Sequence, residues 1–265
     1  VLLLSGSELD CSRYHILAVD PWLEIKSYQK NIRVKLNNKT IRFRDDIFAF
    51  LENLMDRFSY AALTPELPIE SGFFGYLSYD LKDQIEELPN TCMDTGLPDL
   101  YLVAPSAVIT HDKLLKKTVL TIPDLTWNDS HDITVPEKIK EKLLSRLDAP
   151  FEKSVFSIDQ SGFESSFTKA EYVHAVKKII QYLKAGDIYQ ANFSQRFESA
   201  FSGDSYALFL DLFKRNPASF FSYINAGDHT IVSTSPERFL KQNNNRVETR
   251  PIKGTIARSK DPVLD

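Results

Sequence analysis

Two side chains near the end of the sequence could do chemistry together. Glu237 stands in Ser235-Pro236-Glu237-Arg238-Phe239, and Lys253 in Glu248-Thr249-Arg250-Pro251-Ile252-Lys253-Gly254-Thr255. The connector between them, Lys241 to Arg246, contains three successive Asn residues. Asn tolerates positive φ and bonds its own backbone, so the connector reads as a hairpin turn. Two strands on a tight turn would set Glu237 and Lys253 on neighbouring backbones. A carboxyl can give or take a proton, and a deprotonated lysine amine is a nucleophile.

Over Thr249 to Thr255 an extended chain puts Thr249, Pro251, Lys253 and Thr255 on one face and Arg250, Ile252 and Gly254 on the other. Pro251 has no N–H for a ladder, so it marks an edge, a strand start or a bulge. Gly254 leaves room beside Lys253 for a ligand or another backbone. To act near neutral pH, Lys253 must lose its proton, through desolvation or a nearby cation such as Arg250, with Thr255 as a hydroxyl partner. The alternative is a solvated lysine near a turn, and lysine chemistry alone favours it. For Glu237 the alternative is a surface ion pair with Arg238.

The elements that must position this pair are mostly strands. Leu2 to Ser5 and Tyr14 to Val19 read as strands. Ile32 to Leu36 and Thr40 to Phe43 flank Asn37-Asn38 as a hairpin. Asp45 or Asp46 should cap a helix whose inner face is Ile47, Phe50, Leu51, Leu54 and Phe58. Gly72 to Asp80 reads as a buried strand and Leu81 to Glu87 as a short helix. Leu100 to Thr110 and Leu114 to Ile122 read as further strands. A helix from Val135 or Pro136 to Leu147 should turn Ile139, Leu143, Leu144 and Leu147 inward. Ala149 to Ser161 reads as a linker or surface loop. Thr168-Lys169-Ala170-Glu171 is a capping box, and Gly186 stops the helix behind it. Asp187 to Phe197 alternates Tyr189, Ala191, Phe193 and Phe197 with Gln190, Asn192, Ser194 and Arg196, which predicts a strand with one polar side. A helix over Tyr206 to Lys214 then leads to strands at Phe220 to Asn225 and Thr230 to Thr234. Hairpins with helices between groups predict an α+β fold with mainly antiparallel sheets.

Composition excludes some classes. The 265 residues are 43% hydrophobic and 26% charged, with 32 Lys and Arg against 36 Asp and Glu. A net charge of −4 argues against a general nucleic-acid surface. No apolar run is long enough to span a membrane. Cys11 and Cys92 form no disulfide framework, so the cytoplasm is the expected compartment. The chain starts at Val1 and stops at Asp265, and both ends read as cut. One domain over 1–265, incomplete at its C-terminus, is the expected organisation, with an N-terminal subregion 1–150 and a second region from 162.

Pro251-Ile252-Lys253-Gly254-Thr255, preceded by Thr249-Arg250 and by Ser235-Pro236-Glu237-Arg238-Phe239, resembles the signature of the chorismate-utilising enzymes. Within them it is most similar to the aminating components of aminodeoxychorismate synthases, transferases of p-aminobenzoate and folate biosynthesis. Anthranilate synthases usually have Ala where Lys253 stands. Asp187 to Phe197 resembles a further family stretch. The resemblance implies antiparallel sheets packed face to face with outer helices, as in anthranilate synthase component I, of which this chain would be an N-terminal portion. It implies Lys253 as nucleophile at C2 of chorismate and Glu237 as the acid for the leaving C4 hydroxyl, held protonated by partial burial. Gly254 and Thr255 would contact substrate. It further implies Mg²⁺, with ligands beyond residue 265 and none in this chain, so that these residues alone would be catalytically incomplete. No glutaminase nucleophile elbow is present, so a separate glutamine amidotransferase subunit would supply ammonia in a heterodimer.

In this family a tryptophan pocket is built from an early Leu-x-x-Ser segment and a later Asn-Pro-x-Pro segment. Leu3, Leu4 and Ser5 match the first, followed by Arg13 and Tyr14. Asn216-Pro217-Ala218-Ser219-Phe220-Phe221 matches the second, with Ser219 in place of Pro. An occupied pocket and ordinary core packing of Phe220 and Phe221 both stay open. Two other readings also stay open: a sister enzyme making anthranilate or isochorismate, and a non-catalytic tryptophan-binding module.

Overall fold

The computed structural model describes residues 1–36, 39–58, 67–89, 96–123, 126–127, 131–132, 135–147, 149–150, 154–159 and 161–252. The chain forms two compact units, one from Val1–Phe151 with Phe209–Asp265 and the other from Glu152–Leu208.

The first unit is organised around one long strand. β1 (Leu2–Leu4) leads through a polar loop to β2 (Tyr14–Tyr28), followed by β3 (Asn31–Leu36) and β4 (Lys39–Arg44). α1 (Ile47–Arg57), β5 (Phe74–Leu77), β6 (Leu100–Asp112), β7 (Lys117–Thr121), the two-residue β8 (Thr126–Trp127) and β9 (His131–Asp132), and α2 (Pro136–Leu147) come next. The expected second strand ended at Val19, yet β2 continues to Tyr28. Asp20 takes a positive φ of 49°, and the ladder to β6 slips between Pro21 and Leu23. Pro21 is accommodated at this bulge, where its missing N–H costs no regular ladder bond. β2 therefore pairs along its length with β6, and on its other edge first with β1 and then with β3.

Alternation along β6 separates two cores. Leu100, Leu102 and Ala104 face Trp22, Leu23, Ile25 and Ile32, with Ile47, Phe50, Leu51 and Leu54 of α1 packed over them. Tyr101 and Val103 face Ala18, Phe74, Ile224 and Ala226. Asp46 caps α1, its carboxylate accepting from the Ala49 N–H at 2.9 Å. The strand expected over Gly72 to Asp80 narrows to β5. A Cβ on Gly75 would lie 1.8 Å from the Tyr101 carbonyl, so glycine is required there. The short helix expected over Leu81 to Glu87 is a 3₁₀ segment, Tyr79–Gln84, with Leu81 buried. In α2 only Leu143 is buried; Leu144 and Leu147 are exposed, because this helix covers a narrower strip than its sequence suggests.

The second unit holds β10 (Phe156–Ile158), β11 (Glu164–Ser165), α3 (Lys169–Ala185), β12 (Phe197–Glu198) and β13 (Phe201–Gly203). The Thr168–Glu171 capping box forms, and Gly186 closes α3 with a left-handed φ of 82°. The strand expected over Asp187 to Phe197 does not form; only Phe197 pairs, in β12 with β11. Alternation supplies the faces of a strand but not a neighbour to bond to. Phe193 instead packs on Phe167 and Tyr172, at ring distances of 5.5 and 5.2 Å.

α4 (Ser205–Arg215) leads into β14 (Phe220–Asn225), β15 (Thr230–Ser235), β16 (Arg238–Asn243) and β17 (Arg246–Arg250). β14 pairs with both β1 and β15, so the order β15-β14-β1-β2-β3-β4 sets the two chain segments of the first unit side by side in one sheet. All strand pairs are antiparallel among the described residues.

Candidate functional site

β16 and β17 form the hairpin read from the Asn-rich connector. Asn243 pairs with Arg246, and Asn244 takes a left-handed φ of 51°. Pairing ends at Arg250, before Pro251, as a residue without an N–H dictates. Ahead of the hairpin, the Ser235 hydroxyl accepts from the Glu237 N–H at 3.3 Å and donates to its carbonyl at 3.2 Å, fixing the turn through Pro236. The half-buried Glu237 carboxylate accepts from the Ile252 N–H at 3.3 Å. The residue before Lys253 thus sits on Glu237. Lys253, Gly254 and Thr255 lie outside the described residues.

Arg238 pairs with Glu248 across the hairpin. Arg250 Nε reaches the same Glu248 carboxylate at 2.9 Å. Its Nη1 donates to both carboxylate oxygens of Asp10, at 2.7 and 2.8 Å. The Arg250 hydrogen bond, then that from Arg238, holds Glu248 below the usual carboxylate range. Arg250 likewise holds Asp10 below it. Arg238 also lies over the Phe220 ring, 5.5 Å from its centroid.

The early and late segments read as a pocket meet in the structure. Leu4 stands opposite Phe221 in the β1–β14 ladder. The Gly6 N–H donates to the Ala218 carbonyl at 2.9 Å, and a Cβ on Gly6 would fall 2.4 Å from that of Pro217. Ser219 is buried, and its hydroxyl bonds that of Ser7 at 2.8 Å. Ser7 in turn bonds Ser12 at 2.6 Å. A proline at 219 could make no such link. The Ser5 N–H donates to His15 Nδ1 at 3.1 Å, and Lys113 Nζ donates to the Ser5 and Ser7 carbonyls at 2.7 and 3.1 Å. Burial, with Lys113 and His111 nearby, lowers the His15 pKa. Arg13 lies over the Tyr14 ring at 4.9 Å and pairs with Asp112 at 2.5 Å. The Arg13 hydrogen bond, aided by the Leu115 and Leu114 amides, pulls Asp112 down to about 2. Phe221 is fully buried between Phe209 and Phe213, at ring distances of 5.7 and 5.2 Å. Phe220 is partly exposed under Arg238.

Sequence reasoning missed Asp10, Lys113 and Asp112, whose partners lie 240, 108 and 99 residues away. No local spacing signals such pairs. Among the described residues, no group of three or more His, Cys, Asp or Glu could hold a metal ion, and no helix is long and apolar enough to cross a membrane.

A family model described as chorismate binding enzyme matches residues 8–265. The chain is 30% identical over 273 residues to aminodeoxychorismate synthase component 1 of Escherichia coli strain K12, covering 100% of this chain and 56% of that protein. It is 33% identical over 239 residues to anthranilate synthase component 1 of Thermus thermophilus, covering 87% of this chain and 49% of that protein. Anthranilate synthase component I from Streptococcus pneumoniae TIGR4 superposes on 91% of this chain and 54% of its own, with a TM-score of 0.72 and 24% identity. That likeness shows the fold: an α+β architecture with mainly antiparallel sheets. The chain spans about half the length of the relatives it matches.

Proposed function

The chain belongs to the chorismate binding enzyme family, and from this premise we propose that it is part of the aminating component of a 4-amino-4-deoxychorismate synthase. The observation that carries this reading is Lys253 in Pro251-Ile252-Lys253-Gly254-Thr255, with the amide of its preceding residue on Glu237. In this reading Lys253 Nζ adds at C2 of chorismate. The ring double bond shifts, and the C4–O bond breaks with a proton from Glu237, releasing water. Ammonia then forms a bond at C4, the C2–N bond breaks, and lysine is regenerated. A separate glutamine amidotransferase subunit in the cytoplasm supplies the ammonia. Gly254 and Thr255 contact substrate. The Mg²⁺ implied by the resemblance finds no ligand set among the described residues.

A second reading, anthranilate synthesis, draws on the 33% identity to an anthranilate synthase component. The product separates the two. The complete gene product is incubated with chorismate, Mg²⁺ and ammonium, beside its Lys253→Ala variant. Aminodeoxychorismate from the parent and little from the variant is the expected result. Anthranilate, isochorismate or no product overturns it.

A further inference from the structure

A row of side chains crosses five strands of the large sheet. Tyr76 stands opposite Tyr101, Tyr101 opposite Lys26, Lys26 opposite Arg33, and Arg33 opposite Arg42. Directly opposed residues share a face, so three cations stand in succession on β2, β3 and β4. The inner one is matched. Lys26 is buried, and its Nζ donates to the Ala226 carbonyl at 2.9 Å and to Asp228 at 2.8 Å. The outer two are matched weakly or not at all. Arg33 has Glu24 at 3.8 Å, and its Nε is buried without a hydrogen-bond partner among the described residues. Arg42 is exposed and makes no ion pair among the described residues.

Like charges directly opposite each other destabilise an antiparallel pair. An anion between them reverses the sign of that interaction, and the guanidinium fork matches the geometry of carboxylate and phosphoryl oxygens. Space exists for such a ligand. An open groove of about 530 Å³ is lined by Tyr28, Asn31, Ile32, Arg33, Arg42 and Phe43. Tyr28 lies two residues beyond Lys26 and shares the face of the arginines, offering an aromatic wall to the body of a ligand.

We infer that this groove binds a small organic anion, its oxyanion held between Arg33 and Arg42 and its body laid against Tyr28. The shared chemistry is the oxyanion; its source is a carboxylate or a phosphoryl group. The test is calorimetric titration of the full chain with benzoate and, separately, with inorganic phosphate, at ionic strength held constant with sodium chloride. Saturable binding of either probe is expected. Tighter benzoate assigns a carboxylate ligand, and tighter phosphate a phosphoryl ligand. Arg42→Gln, on an exposed edge position, should weaken the preferred probe about tenfold with an unchanged melting temperature. Lys35→Gln removes a charge from the same face without touching the groove lining and should change affinity little. No saturable binding of either probe overturns the inference. So does a loss in Lys35→Gln equal to that in Arg42→Gln, which would mean diffuse attraction rather than a site.

Discussion

The Ile252 N–H donates to the Glu237 carboxylate at 3.3 Å, across the mouth of the β16–β17 hairpin. In the proposed reaction this carboxylate would have a second duty, as the acid for the leaving hydroxyl, separable from accepting the backbone bond. Glu237→Gln keeps an acceptor oxygen but cannot act as an acid. In the complete enzyme this variant is expected to lose roughly 10²- to 10⁴-fold in kcat while its melting temperature stays near that of the parent. Steady-state kinetics beside calorimetry checks both halves, and a large fall in melting temperature would mean the residue is structural.

Arg250 ties the hairpin to Asp10 in the loop after β1. Both partners are exposed, so solvent and salt screen the pair. Asp10→Asn is expected to lower the melting temperature slightly at low salt and not at all in molar salt. Melting curves over a salt series decide this.

Gly6 leaves no room for a methyl group against Pro217. Gly6→Ala should force the early loop away from the 216–221 segment and cost about 1–3 kcal/mol. Denaturant unfolding measures the cost, and an unchanged midpoint would show that the two segments part without penalty.

Neighbouring phenylalanines should respond differently. Phe221 is enclosed by Phe209 and Phe213, so Phe221→Ala should cost about 3–5 kcal/mol. Phe220→Ala loses a partly exposed ring and its contact with Arg238, a smaller loss. Unfolding midpoints for the two variants give the order directly.

Acid should act through Asp112. Its pKa in the folded chain is about 2, below the ordinary unfolded value of about 3.9. A depressed carboxylate stabilises the fold above its unfolded pKa, and that stabilisation is lost as pH falls towards 2. Asp228 is also drawn down to about 2, first by the hydrogen bond from Lys26. Melting temperature against pH should therefore fall between about pH 4 and pH 2, and the slope should be shallower in Asp112→Asn.

Local chemistry was legible in the sequence wherever a residue acts on its own neighbours. Asp46 and Thr168 cap their helices, Gly186 ends α3, and the Asn243 to Asn245 run turns the last hairpin. The α+β class with antiparallel sheets follows from the same hairpins. What depends on distant partners was not legible. Asp20-Pro21 has the sequence of a break, and only the ladder with β6 carries β2 through it. Asp187 to Arg196 has the pattern of a strand without acquiring a strand's neighbours. At the candidate site the motif located Glu237, while Asp10 and Lys113 were hidden because their bonds connect residues far apart in the sequence.

β1 lies between β2 and β14, and Leu3 bonds across to residues as distant as Ser222. Synthesis must therefore reach the 220–225 segment before that edge of β1 finds its partner. Closing a loop of this length is entropically costly and slow. On the ribosome the segment Leu2–Leu4 would stay half paired until β14 emerges, leaving an apolar strand edge open to wrong pairings in the meantime.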